Sequence, residues 1–357
     1  MDPTPSIERT VTNSAERPDI SFLITHFNGA RQLERTLPRL VEVLGQEWFE
    51  QHAELVFADG GSTDDSVEVV RRWAAPFSNV ILVQEPANIG RGRQIALLHS
   101  RGRYVALLDS DHWLREEYAP FLRAYLGWAA VHRRSIIAYE NADGERANWS
   151  CSFHPRENVE TAGGWRDIPG AEDIDLFSRM VLHDDLSFLP VCLVDDVEHV
   201  QGRGFEVDER TDYRTLRDRQ RHPGFRFYVR WIRATRARYV ACAYTLREKI
   251  AYDWRNQPRW SYRLMDLAGS TLARVDYYLH PERAVRIRPE WHNGIELHRY
   301  FLTHMVRPSD FGLSDDLMEL RGGWPLRDLV ESGALPAPSQ AIVDEVVGRH
   351  RWIFTPR

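Results

Sequence analysis

The sequence predicts an α/β protein in which a Rossmann-like, mostly parallel sheet is flanked by helices and followed by a largely helical C-terminal region. Short apolar runs with strand character alternate with segments whose apolar residues recur at helical spacing. Each of these runs ends in a polar loop. From about residue 206 the sequence becomes dense in arginine and aromatic residues, with short breaks that contain proline or glycine.

Two strand–helix units open the pattern. Residues 20–25 are predicted to form a buried strand, and the leucines between 31 and 44 fall at helical spacing. Residues 54–58 form the second predicted strand, and the loop over 59–66 has two glycines that permit a tight turn. A side chain of this loop is expected to cap the next helix. The candidates are Ser62, Thr63 and Asp64.

The next strand, over residues 80–83, leads to a helix that opens at Asn88 and runs to about Ser100. The fourth strand, 105–108, ends in the acidic segment 109–111. Residues i and i+2 of a strand point the same way, so the two carboxylates of this segment can share one hard cation. Such a pair suits Mg²⁺ or Mn²⁺ carrying a diphosphate, because Mg²⁺ usually takes only one or two protein carboxylates. Taken alone, it is equally explained as an acidic turn.

Three polar loops are predicted to converge. Alternating strands and helices favour a parallel sheet, and such sheets bind ligands beyond the carboxyl ends of their strands. The loops 25–28, 59–62 and 109–111 all lie at such ends. Their convergence at one edge makes a ligand site there a stronger prediction than any one loop does.

Five motifs in this order resemble those of family 2 glycosyltransferases with the GT-A fold. They are Thr25-His26-Phe27-Asn28, Asp59-Gly60-Gly61-Ser62-Thr63-Asp64, Asn88-Ile89-Gly90, Asp109-Ser110-Asp111 and Glu172-Asp173. The resemblance implies an inverting, metal-dependent transfer of a sugar from a UDP- or GDP-linked donor to the hydroxyl of a glycan or lipid-linked acceptor. Two positions depart from the family pattern. Gly60 replaces the second acid of the usual pair, and His112 stands where an acid is common.

The resemblance also implies a donor-binding set. Its members are Thr25, Phe27, Asn28, Asp59, Gly90, Arg91, Asp109 and Ser110. Asp59 matches the acid that contacts the base or ribose, since a carboxylate can accept a ring N–H; it can also simply bond its own turn. Arg91 and Arg93 stand at a helix start, where either can neutralise diphosphate charge or be solvated. Arg91 matches the family pattern better.

Metal and base positions follow from the same resemblance. Asp111 is expected to bind Mg²⁺ or Mn²⁺, with Asp109 contacting the metal or the ribose and His199 as an additional ligand. Asp173 matches the family's base, and Glu172 orients the acceptor or the base. The alternative for these two acids is capping of the helix that follows, and for His199 a structural role. A separate candidate, Trp165, lines the acceptor side or belongs to the core.

The length, net charge and cysteine content of the chain limit the classes of function that it can have. With 357 residues, 43% of them hydrophobic, and a formal net charge of −6, the chain can bury a sizeable core and is not expected to bind nucleic acid. Three cysteines without zinc or disulfide spacing are expected to be buried free thiols in a reducing cytoplasm. These are Cys151, Cys192 and Cys242. No apolar run approaches the ~20 residues that span a bilayer.

These observations divide the chain into a flexible tail over 1–17, a GT-A catalytic domain over 18–205 and a helical accessory region over 206–357. The accessory region either packs on the core with its arginines solvated, or binds the acceptor or a membrane surface through arginines and aromatics. The second alternative predicts that Arg230, Arg233 and Arg236 act together on an anionic acceptor. We therefore expect a cytoplasmic protein, with a peripheral position at the membrane surface as the alternative that this region allows.

Two other functions compete with sugar transfer. A catalytically silent GT-A domain would bind a nucleotide sugar or glycan, but the intact acids Asp109, Asp111, Glu172 and Asp173 argue against it. A nucleotidyltransferase would carry a glycine-rich, lysine-bearing signature near the first strand, which this sequence lacks.

Overall fold

The computed structural model describes residues 6–9, 17–141, 147–167, 172–197, 260–280 and 300–319, with single residues between 229 and 254 and at 341, 344 and 345. The described strands are β1 (Ser6–Arg9), β2 (Ile20–His26), β3 (Ala53–Asp59), β4 (Val80–Gln84), β5 (Tyr104–Asp109), β6 (His112–Leu114), β7 (Ser135–Asn141), β8 (Ala147–Pro155) and β9 (Leu186–Asp196). The helices described along their length are α1 (Ala30–Leu44), α2 (Gln46–His52), α3 (Ser66–Ala74), α4 (Ile89–His99), α5 (Tyr118–His132), α6 (Arg156–Thr161), α7 (Glu172–Met180) and α8 (Trp260–Leu279). Short 3₁₀ helices cover Val181–His183, Pro308–Phe311 and Asp315–Leu317.

Within this part of the chain the strands form one sheet in the order β1-β4-β3-β2-β5-β8-β7-β9-β6. The predicted α/β class is confirmed. The sheet is parallel across β4, β3, β2 and β5, as expected for strands joined by helical crossovers. Beyond β5 it becomes mixed, because β8 pairs antiparallel with both β5 and β7. The pair of β7 and β9 is again parallel, whereas β1 is antiparallel to β4. The expectation of a mostly parallel sheet therefore holds for the run from β4 to β5, and the sheet as a whole is mixed.

Strand β2 occupies the middle of the parallel half. Its last residues pair with the ends of both neighbours: His26 lies opposite Asp59 of β3, and Thr25 lies opposite Asp109 of β5. The register therefore brings the polar loops that follow β2, β3 and β5 to the same edge of the sheet.

Both faces of the sheet are buried. Along β2, Phe22 and Ile24 contact the core cluster that includes α1, α3 and α5, whereas Leu23 contacts the cluster that includes α4, α6 and α7. This alternation follows from the twofold period of a strand, and it explains why the predicted strands are continuous apolar runs.

The segment 1–17 was expected to be a loose tail, and this is wrong for Ser6–Arg9. These residues form β1, which pairs antiparallel with the edge strand β4. Glu8 of β1 bonds Arg71 of α3 and Gln84 of β4. An edge strand exposes unpaired backbone groups, and β1 covers them on β4.

The expectation that the core is complete near residue 205 is also wrong. Phe301 and Met318 belong to the core cluster on one face of the sheet, and Phe311 belongs to the other. The backbone of Phe188 in β9 bonds that of His304 and Val306, at 3.0 and 2.9 Å. Residues 300–319 therefore complete the α/β domain from far along the chain.

Two further predictions concern cysteine and membrane spans. Cys151 and Cys192 are buried and free, as expected, and Cys242 lies outside the described residues. Among the helices that the structure describes, none combines the length and apolar character needed to cross a bilayer.

Gly102 offers a test of how closely the strand ends pack. A Cβ on Gly102 would lie 2.5 Å from the backbone nitrogen of Ser21, whereas a Cβ on Gly127, inside α5, would meet nothing within 4 Å. We expect Gly102→Ala to lower the free energy of unfolding by ~1–3 kcal/mol through overpacking. The matched control Gly127→Ala should raise it by ~0.5–1 kcal/mol, because alanine favours a helix interior. Urea unfolding midpoints check both, and equal midpoints for the two variants would contradict the packing described.

Candidate active site

A cleft lies at the carboxyl edge of β2, β3 and β5, as the register requires. Its lining combines residues of the three polar loops with the start of α4. It consists of Thr25, His26, Phe27, Ala58, Gly60, Ala87, Asn88, Ile89, Gly92, Asp109, Ser110 and Asp111. The predicted convergence of the three loops is therefore met in the structure.

Asn28 ties the first loop to the second. Its backbone N–H donates to Ser62 Oγ at 2.9 Å, and its side-chain oxygen accepts from the backbone N–H of Thr63 at 2.7 Å. Its φ of 53° is left-handed, a conformation that asparagine tolerates better than most residues. Asn28 thus shapes the wall of the cleft through backbone bonds.

Asp59 is buried at the end of β3 and bonds its own loop. One carboxylate oxygen accepts from the backbone N–H groups of Gly61 and Ser62, both at 3.0 Å. Asp59 therefore bonds its own turn, which is one of the two roles predicted for it. A carboxylate has about four lone-pair sites, so these bonds leave capacity for a ring N–H of a nucleotide base.

The N-cap residue of α3 is none of the three candidates Ser62, Thr63 and Asp64. Asp65 occupies the N-cap position without a side-chain capping bond. Asp64 accepts from the backbone N–H groups of Ser66 and Ala30, both at 3.1 Å, and so joins the start of α3 to the start of α1.

The start of α4 forms the floor of the cleft beside β2. Asn88 caps the helix by accepting from the backbone N–H of Arg91 at 3.0 Å. Gly92 permits the close approach to β2, since a Cβ there would lie 3.1 Å from Thr25 Cγ2. Gly90 is buried in the first turn, whereas Arg91 is exposed and pairs with Glu85.

Asp109, Asp111 and His112 place ligand atoms within 4.8 Å of one another. His112 Nδ1 accepts the backbone N–H of Asp109 at 3.1 Å. A neutral imidazole that accepts at Nδ1 carries its proton at Nε2, so this tautomer has no nitrogen with which to bind a metal. The remaining donors are carboxylate oxygens, which fit Mg²⁺ or Mn²⁺. His199, the third predicted ligand, lies outside the described residues.

Arg93 connects the metal motif to the Glu172–Asp173 pair. It is buried, and its Nη2 donates to Asp109 Oδ1 at 2.8 Å. Its Nη1 lies 2.8 Å from Glu172 Oε1, an ion pair without hydrogen-bond alignment. Arg93 is therefore neither solvated nor directed at a diphosphate by itself. Its position one helical turn before Ala96 and Leu97 is the sequence signal for this buried face.

Glu172 and Asp173 stand side by side at the start of α7 in different environments. Glu172 is buried, and burial raises its pKa to about 7 against the opposite influence of Arg93. Asp173 is half-buried. A carboxyl with access to solvent is the better placed of the two to meet an incoming acceptor.

The segment before α7 is held against α4 as well. The backbone N–H of Trp165 donates to Gln94 Oε1 at 2.8 Å, and Asn88 donates to Asp167. Gly164 has a φ of +67°, and a Cβ there would lie 2.3 Å from Gln94 Oε1. Trp165 is 3% exposed, so the core alternative for this tryptophan is the one the structure favours.

Residues 21–167 match the model of a family described as glycosyl transferase family 2. This segment of the chain is therefore similar to family 2 glycosyltransferases. The matched segment carries four of the five sequence motifs, and Glu172–Asp173 follows directly after it.

Curated relatives are similar to part of the chain. A dolichyl-phosphate beta-glucosyltransferase (ALG5D) from Trichomonas vaginalis is 32% identical over 97 residues, 26% of this chain and 30% of that protein. A poly(ribitol-phosphate) beta-glucosyltransferase from Bacillus spizizenii is 26% identical over 101 residues, 28% of this chain and 16% of that protein. The chain thus spans less than a third of the length of either relative.

Two solved structures match larger parts of the chain at lower identity. The mannosyltransferase PcManGT from Pyrobaculum calidifontis, in complex with GDP-Man and Mn²⁺, is 18% identical with a TM-score of 0.44, over 94% of this chain and 88% of that one. TarS 1-349 from S. aureus, in complex with UDP-GlcNAc, is 14% identical with a TM-score of 0.44, over 73% and 92%.

We expect Asp111→Asn to weaken Mn²⁺ binding by more than the ~10–100-fold that loss of an outer-shell partner costs. The amide keeps the shape of the side chain and removes the charge that a hard cation needs. Titration of the purified protein with Mn²⁺, followed by electron paramagnetic resonance, measures the change. Asp65→Asn removes a carboxylate from a neighbouring loop and should leave Mn²⁺ affinity unchanged. Equal affinities for both variants would place the metal elsewhere.

Proposed function

We propose that this protein transfers a sugar from a UDP- or GDP-linked donor to an acceptor hydroxyl, with inversion, and uses Mg²⁺ or Mn²⁺. The observation that carries the proposal is the cluster around Arg93. In a chain that is similar to family 2 glycosyltransferases, it joins the carboxylate pair at the end of β5 to the carboxyl pair at the start of α7. A donor site and a base site are then adjacent.

The cleft suits a nucleoside diphosphate. In the proposed binding mode, Asp59 and the loop held by Asn28 contact the base and ribose, and the N-terminus of α4 favours phosphate charge. Asp111 and Asp109 would hold the divalent cation, which when bound acts as a Lewis acid on the leaving diphosphate. Thr25, Phe27 and Ser110 complete the proposed donor wall, and Gly90 keeps the start of α4 close to it.

The chain's own contribution to the chemical step is at α7. In the proposed reaction the acceptor oxygen bonds to the anomeric carbon as the bond from that carbon to the diphosphate breaks. Asp173 takes the proton from the acceptor hydroxyl. Glu172, held by Arg93, keeps the first turn of α7 in place and so orients Asp173.

Asp173→Asn should keep donor binding and lower the transfer rate by ~10²–10⁴, because the amide retains the shape of the side chain but not its basicity. The assay uses a panel of nucleotide sugars with Mn²⁺ and acceptor, and follows release of nucleoside diphosphate. Calorimetry with UDP and GDP controls for donor binding. Transfer at the wild-type rate would move the base to another residue, with Glu172 the first to test. Donor binding without release by the wild-type protein would support the silent binding domain instead.

The acceptor we propose is a lipid-linked phosphate, met by a protein that lies at the cytoplasmic membrane surface. The names of these two relatives, dolichyl-phosphate and poly(ribitol-phosphate) beta-glucosyltransferase, specify acceptors that bear phosphate. Helix α8 exposes a row of large apolar side chains. They are Trp260, Leu264, Leu267, Leu272, Val275, Tyr278 and Leu279. An apolar face with tryptophan and leucine is typical of a helix that lies in a lipid interface.

Arg230, Arg233 and Arg236 were expected to act together on an anionic acceptor, and the structure gives two of them other contacts. Arg236 is buried and pairs with Asp266 of α8 at 2.8 Å, and Arg233 pairs with Asp276 of α8. Arg230 lies outside the described residues. The two described arginines thus fasten a neighbouring segment to α8, which is the packing alternative, and the exposed apolar face of α8 becomes the candidate lipid contact.

We expect the triple variant Leu264→Ser, Leu267→Ser and Val275→Ser to bind anionic liposomes at least ~10-fold more weakly than the wild type, since burial of three such side chains contributes more than ~1.4 kcal/mol. Co-sedimentation measures the binding. Leu98→Ser is the control, because Leu98 is 71% exposed on α4, far from α8 in sequence. If the triple variant sediments with liposomes as the wild type does, α8 is not the lipid contact.

A further inference from the structure

We infer that Arg93 is a positioning residue that sets the orientation of Asp109 relative to the Glu172–Asp173 pair. The inference rests on the proposed function, because it gives the two acidic motifs their roles. Arg93 itself lies beneath the cleft, and it is not among the residues that line it.

The geometry gives one guanidinium two carboxylates to hold. Its nitrogens reach Asp109 Oδ1 and Glu172 Oε1, each at 2.8 Å. A guanidinium is planar and rigid, so two acids that contact its two terminal nitrogens have a defined separation. Asp109 and Glu172 come from β5 and α7, which are far apart in sequence. Arg93 is the contact that fixes one against the other.

Burial makes this contact more than a surface ion pair. The side chains of Arg93 and Glu172 are 3% and 4% exposed, whereas that of Asp109 is 26% exposed. The charge of Arg93 is therefore poorly screened by solvent, and its attraction acts on Asp109 at the boundary between the interior and the cleft. Asp109 commits Oδ1 to Arg93, and its backbone N–H donates to His112. Both bonds orient Asp109, which stands two residues before Asp111 and is proposed to hold the metal with it.

A merely structural counter-ion is the alternative. On that view Arg93 neutralises Glu172, and the bond to Asp109 is incidental. Replacing Arg93 alone cannot separate the two, because it leaves Glu172 buried without its partner and threatens folding. The informative comparison is between Glu172→Gln and the double variant Arg93→Gln/Glu172→Gln. Both lack the buried Glu172 charge, and they differ only in Arg93.

Mn²⁺ binding, measured by electron paramagnetic resonance, and binding of UDP and GDP with Mn²⁺, measured by calorimetry, are the readouts. We expect the double variant to unfold at a urea midpoint near that of Glu172→Gln and to bind Mn²⁺ at least ~10-fold more weakly, because Asp109 is no longer held. The Mn²⁺ affinity of Arg93→Lys should lie between those of Glu172→Gln and the double variant, because an ammonium is a point charge that cannot hold two acids as a guanidinium does. Arg71→Gln, which removes an exposed arginine paired with Glu8 and Glu68, is the control.

Equal Mn²⁺ affinity in Glu172→Gln and the double variant would overturn the inference and leave Arg93 as a counter-ion. Absence of Mn²⁺ binding by the wild type would also overturn it. Failure of the proposed function looks different. In that case no nucleotide sugar is consumed by the wild type, yet the Mn²⁺ comparison between the two variants still gives its result.

Discussion

The site depends on the pairing of one strand with two neighbours. Because β2 is parallel to both β3 and β5, its last residues lie opposite Asp59 on one side and Asp109 on the other. A shift of one residue in either register would turn every side chain of that strand to the opposite face. The apolar residues on both faces of β2 prevent such a shift, since each fits a different core cluster. The core thereby fixes where the polar loops meet.

The ion pairs of Arg93 connect the carboxyl edge of the sheet to α7. The register brings Asp109 to the edge but does not connect it to α7, which enters from later in the chain. Arg93 makes that connection from α4, and Gln94 and Asn88 of the same segment bond the residues just before α7. The first two turns of α4 therefore hold both sides of the cleft. This arrangement explains the glycine just before Arg93: Gly92 lets the helix approach Thr25 of β2 closely, so that the guanidinium can reach Asp109.

The sequence was sufficient to predict the four parallel strands, the helices α1, α3 and α4 between them and the edge at which their loops meet, but not the short helix α2. Each of these is local, since an apolar run followed by polar residues is visible without knowing its partner. What escaped prediction depends on distant partners. Residues 6–9 form a strand only because β4 offers an edge, and residues 300–319 belong to the domain only because β9 accepts their backbone bonds. Arg93 escaped because an arginine near a helix start is ordinarily solvated, and its burial is decided by acids from two other elements. The roles proposed for the site residues remain predictions.

The distant origin of these pieces has a consequence for how the protein is made. Ile20 of β2 finds its partner Tyr104 of β5 only after the segments that form β3 and β4 have been synthesised. Contacts between residues so far apart slow folding, because a long loop must close before they form. During synthesis, Arg93 and Asp109 emerge well before Glu172, and the strand β9 that accepts residues 300–319 waits longer still. The emerging chain therefore carries an incomplete core with apolar surface exposed on both faces of the sheet, and it is most prone to aggregation at that stage.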